Sequence, residues 1–225
     1  MSENSDHIVD LLKRKSCVKQ RVFRQSKEVF TQFKAVLNDL ANELNERIHA
    51  HDTHVDVTFS DTGEYSAQLK FSGDVLIFHL HSNTFTFDRS HGIWKTGYVK
   101  EDESRAYCAV INIYNFLSDS LKYNRFNDTG LLVGRLFVNK DKHFFVEGKG
   151  KLAFLFNDFA HQELSDEVLR KITETAILYG MEYELESPPY NAVRQVTVSQ
   201  VQQLDSQLSI QTVKKLGYQF RSEKE

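Results

Sequence analysis

Residues 8–49 contain neither proline nor glycine. A stretch that long without either breaker predicts one extended helix. Phe23, Phe30, Leu37 and Leu44 recur every seven residues, with Phe33 and Leu40 at the matching intermediate position. Val22, Val29 and Val36 add a third column beside them. Three apolar columns per heptad make a stripe wide enough to cover a core, broader than a two-column coiled-coil seam. The stripe from Phe23 to Leu44 runs roughly 30 Å, against about 17–20 Å for a typical strand, so the helix overhangs the sheet as an arm and leaves apolar side chains of the stripe without an internal partner. That overhang predicts self-association, most simply as a symmetric homodimer.

The period changes after residue 51. From Val55 to Tyr98 it becomes two, broken by Asp61-Thr62-Gly63, Ser72-Gly73-Asp74, Ser82-Asn83 and Arg89-Ser90-His91-Gly92. Short alternating runs over 65–71, 74–81 and 84–87 between such turns predict an antiparallel meander. A second helix is expected over 103–122, after the acids Glu101, Asp102 and Glu103. Hairpin strands are expected near 131–138, 143–147 and 151–157. A further helix should start at Ser165 as N-cap and stop at Gly180. Pro188-Pro189 breaks the chain, and a short strand near 192–198 and a last helix near 205–216 follow. The fold class is therefore α+β: an antiparallel sheet flanked by a long N-terminal helix and two to three further helices. No linker divides it, so residues 1–225 are read as a single domain.

The composition sets limits. The net charge is −3, and the two cysteines, Cys17 and Cys108, form no metal or disulfide framework. The first ten residues lack the pattern of a signal peptide, and no apolar run approaches the roughly 20 residues of a membrane span. The expectation is a cytoplasmic protein without a membrane partner.

Two constellations stand out. His79 and His81, two apart on a strand, share a face, a spacing that suits a divalent metal. His49, His51, Asp52 and His54 are the other ligand-type residues in reach. No HExxH accompanies them, and the plainer reading is a half-exposed strand face. The second is basic: Lys13, Arg14, Lys15, Lys19, Arg21, Arg24 and Lys27, with no acid between Leu11 and Lys27. Such a run fits a protein partner, nucleic acid, or the chain's own acidic stretch over 158–186. Gly148-Lys149-Gly150-Lys151 lacks phosphate-loop spacing and reads as a hairpin turn. Glu147, just before it, is a candidate pocket acid, with no second carboxylate paired to it in the sequence. Phe85, Phe87, Phe144, Phe145, Phe154, Phe156 and Phe159 supply aromatic surface for core or cavity. With no nucleophile elbow or cofactor signature, the leading expectation is a non-enzymatic binding or adaptor protein with a helical or sheet face and room for a small ligand. A metal-dependent enzyme using His79 and His81, and a nucleic-acid binder using the basic helix, are the alternatives.

Overall fold

The computed structural model describes residues 3–148, 150–182, 189–195 and 197–199. Six strands lie in sequence order, each antiparallel to the next. They are β1 (Val57–Asp61), β2 (Ser66–Phe71), β3 (Asp74–Leu80), β4 (Cys108–Leu117), β5 (Leu131–Asn139) and β6 (Phe144–Gly148). Connections between neighbours are short except β3 to β4 and β4 to β5. Those two carry the chain over one face of the sheet.

The N-terminal helix runs as α1 (Glu3–Leu11), a π-helical turn (Leu12–Cys17) and α2 (Val18–His49). The expected stripe is the buried one. Val22, Val29, Phe30, Phe33, Leu37 and Leu40 are each at most 1% exposed. They meet the inner side chains of the sheet, with Phe33 edge-on to Phe78 at 5.0 Å. Emptying a site of this kind, as in Phe33→Ala, typically costs about 3–5 kcal/mol. The other half of the cover is α6 (Asp166–Met181), which supplies Leu169, Ile172, Ala176 and Ile177 to the same core. The Ser165 hydroxyl caps it by accepting from the Val168 N–H, as the sequence predicts. Arg170 ties α6 to α2 through Glu43 at 2.7 Å.

The stripe from Val22 to Leu44 is thus covered by the chain's own sheet and α6. The overhang falls instead on residues 3–21, none of which is buried. A π turn carries extra residues per turn. It breaks the heptad phase, so the face of α1 does not continue the core-facing face of α2.

The structure corrects four sequence expectations. Residues 108–117 form β4, not the centre of a helix over 103–122. β4 is a central strand with both neighbours paired, and its first half is buried on both faces, so its apolar residues run continuously and mimic a helical stripe. Asp102, taken as a helix-start acid, caps a 3-10 turn by accepting from the Ser104 N–H at 2.9 Å. Residues 151–155 form a short helix, α5 (Lys151–Leu155), not a strand. Gly150 turns the chain into it with φ +59, a conformation that glycine adopts without strain. Residues 84–87 make one bridge, Phe85 to Cys108, not a strand. The segment predicted as a strand near 192–198 enters a short helix, α7 (Tyr190–Val193), and the helix expected near 205–216 lies outside the described residues. No helix among the described residues is long and apolar enough to cross a membrane.

Candidate binding trough on the outer sheet face

Strand alternation sorts β3 cleanly. Leu76, Phe78 and Leu80 face the helices and are fully buried. Val75, Ile77 and His79 face the other way. The register carries this outer face across the sheet. Ser66 opposes His79, His79 opposes Asn112, Asn112 opposes Arg135, and Arg135 opposes Glu147. The result is one polar row spanning five strands. An apolar row lies on one side of it: Ile77 opposite Tyr114 opposite Leu132. On the other side Val110, Phe137 and Phe145 are aligned.

The long connections wall this strip. The β3–β4 connection adds a 3-10 turn (Gly92–Lys95), α3 (Gly97–Glu101) and a second 3-10 turn (Glu103–Ala106). Its Ile93, Val99 and Ala106 form a second small core with Val110, Phe137, Phe145 and Phe159. At the opposite end, after α4 (Ser118–Lys122), Gly130 lies so close to Phe116 that a Cβ there would sit 2.3 Å from the ring. That second connection is locked by a buried ion pair, Arg125 Nε to Asp128 at 2.8 Å, to which the Ser120 hydroxyl also donates.

Two cavities open on the strip. The larger, about 760 Å³, is lined by Ile93, Leu132, Phe145 and Phe159 with His91, Asn157 and Asp158. The smaller, about 310 Å³, is lined by His81, Phe85, Phe87, Val110, Asn112 and Phe137. Arg135 and Glu147 line both and form an ion pair with each other. The Arg135 guanidinium also lies 5.4 Å from the Phe137 ring centroid, a cation–π distance.

Two histidines of the walls have fixed rings. His81 Nδ1 accepts from the Asn83 N–H at 3.0 Å, and His91 Nδ1 from the Ile93 N–H at 3.3 Å. Each neutral ring then carries its proton on Nε2, where it can donate. His91 stacks on Phe87 at 4.7 Å, and His81 meets Phe85 edge-on at 4.7 Å.

A polar lock holds the wall in place. Tyr98 lies between the Arg105 guanidinium, 4.2 Å away, and the His143 ring, 4.4 Å away. Asn139 Nδ2 donates to its hydroxyl at 3.0 Å. Burial pushes the Tyr98 phenol up to about 12. Asp102 is held down at about 2 by its hydrogen bonds from Ser104, with Lys140 at 3.0 Å assisting against partial burial.

His79 and His81 share the outer face, as their spacing predicts: His79 is in β3, and the His81 N–H extends the ladder to the Val110 carbonyl at 2.8 Å. His49 pairs with Asp56 and His54 with Asp52, both at 3.0 Å. Among the described residues no group of three or more His, Cys, Asp or Glu side chains is placed to hold a metal. Within the basic run, Arg14 pairs with Asp10 and Lys27 with Glu64. Lys19 lies over the Tyr107 ring, and Lys13, Lys15, Arg21 and Arg24 are exposed. The acidic stretch meets α2 at other residues, through Gln32 with Asp166 and Glu43 with Arg170. Of the aromatics singled out, Phe85, Phe87, Phe145 and Phe159 line cavities. Phe144 and Phe156 are inner core, and Phe154 is 84% exposed. Glu147 is a pocket residue whose partner is a cation. Asn112, Arg135 and His91 carry no motif. Their one sequence signal is a polar residue at an outward position of an apolar strand or turn. Comparison of the chain with models of known protein families, with curated proteins and with solved structures gives no significant match.

Proposed function

We propose that the protein is a non-catalytic binding protein whose outer-face trough takes a small, flat molecule. The molecule would have an apolar face and an edge carrying both hydrogen-bond donors and acceptors. The observation that carries this reading is the Arg135–Glu147 pair at the junction of two aromatic-walled cavities. Phe137, Phe145 and Phe159 offer ring surface. Asn112 and the pair offer matched polar groups along one line. A site of convergent polar groups in an otherwise apolar recess is the usual form of a small-molecule site. Burying roughly 200 Å² of apolar ligand surface is worth about 5 kcal/mol, which corresponds to a Kd on the order of 0.1–1 mM before polar contacts add to it.

The test uses Trp94, the single tryptophan, which packs against the second core beside Phe87. Its fluorescence is titrated with nicotinamide, benzamide and anilinonaphthalene sulfonate. Saturable binding of at least one probe, weakened by Phe145→Ala and by Arg135→Leu, is expected. Equal binding by wild type and both variants would remove the trough as the site.

A further inference from the structure

We infer that the N-terminal arm, residues 3–21, is a self-recognition element that pairs antiparallel with the arm of a second copy. The arm is helical throughout and none of its residues is buried. It nevertheless displays Ile8 at 56% exposure, Leu11 at 38% and Leu12 at 51%. An exposed apolar stripe on a projecting helix calls for a cover.

Charge identifies the cover. The first half of the arm carries Glu3, Asp6 and Asp10 and no Lys or Arg. The second half carries Lys13, Arg14, Lys15, Lys19 and Arg21 and no acid. A parallel pair sets like charge beside like. An antiparallel pair with its two-fold axis between residues 12 and 13 sets Glu3 near Arg21, Asp6 near Lys19 and Asp10 near Lys15 of the other copy. The same axis brings Leu11 and Leu12 of both copies to the centre. Length agrees with this arrangement. The arm spans roughly 28 Å at 1.5 Å per residue, and burial begins at Val22, so each arm ends where the other copy's folded body starts. An anionic membrane surface fits less well, because the acidic half is repelled by it.

The experiment is light scattering coupled to size exclusion on the full chain, at several concentrations and low salt. A species of twice 26.1 kDa that dissociates on dilution is expected. Asp6→Lys with Asp10→Lys, or Lys15→Glu with Lys19→Glu, should each raise the dimer Kd about tenfold or more. The four changes together should restore it, since the charges are exchanged as a set. Asp6→Lys with Asp10→Lys changes no residue that touches the body and should keep its wild-type thermal unfolding midpoint, whereas Lys19 lies over the Tyr107 ring, so Lys15→Glu with Lys19→Glu is read by mass alone. A monomer at every concentration overturns the inference. So do charge reversals that leave the mass unchanged, as a parallel pair or another interface would give. Co-sedimentation of the wild type with vesicles of phosphatidylserine and phosphatidylcholine, without self-association, overturns it in favour of a membrane surface.

Discussion

Glu147 stands directly across from Arg135 in the β5–β6 ladder, and their side chains close an ion pair on the boundary shared by the two outer-face cavities. The two side chains remain 42% and 45% exposed. Pairs this open contribute about 0–1 kcal/mol to stability. In the proposed function their role is recognition rather than folding.

Arg135→Leu separates the two roles. Its urea unfolding midpoint should move by no more than the about 1 kcal/mol of an exposed pair. Probe affinity should fall about tenfold or more, the usual value of a charge-assisted hydrogen bond. Parallel losses in stability and binding would mean that the variant acts through the fold.

Asp128 behaves in the opposite way. It and Arg125 are 5% and 9% exposed, and the Ser120 hydroxyl donates to the carboxylate. Removing one member of a buried pair leaves an uncompensated charge, at a cost of about 3–5 kcal/mol. Asp128→Ala should lower unfolding stability by that order in urea titrations. A change under about 1 kcal/mol would show that the pair is solvated in solution.

Asn115 is 2% exposed, and among the described residues neither its amide nitrogen nor its oxygen has a hydrogen-bond partner. It sits beneath α6, with Nδ2 3.5 Å from where a Cβ on Gly180 would lie. A buried unpaired amide costs about 1–3 kcal/mol. Asn115→Leu, which keeps the branched shape without the polar atoms, should raise the midpoint of thermal unfolding. A lower midpoint would point to a buried water satisfying the amide.

Asp102 gives the protein an acid-sensitive step. Its folded-state value lies near 2, below the about 3.9 of an unfolded aspartate. The folded state thus binds this proton less readily. The stabilisation is complete above about pH 5 and is lost as pH falls toward 2. Asp102→Asn should flatten the fall in midpoint across that window and converge with wild type at its acid end. An unchanged slope would show that Asp102 is not held by Ser104 and Lys140 in solution.

How far the sequence reached differs by element. The helix stripe from Val22 to Leu40, the meander over β1 to β3, the β5–β6 pair and the Ser165 cap were legible, because each rests on a local period or a single capping residue. β4 was not, because a strand buried on both faces loses its alternation. Its Val110, Ile111 and Ile113 are the β-branched cue that favours a strand. α5 was not legible either, since Leu152, Phe154 and Phe156 alternate while only Leu152 and Phe156 are buried. Of the trough, His79 and Glu147 were visible as isolated candidates. Their membership of one row depends on the registers of three strand pairs, which no local signal specifies.

The most direct measurement of the binding account is an amide chemical-shift map of the chain titrated with whichever flat probe binds. Saturable shifts are expected at Asn112, Arg135, Phe137, Phe145 and Glu147, with the arm and the inner strand positions unmoved. Shifts scattered over the surface, or centred on residues 3–21, would contradict it.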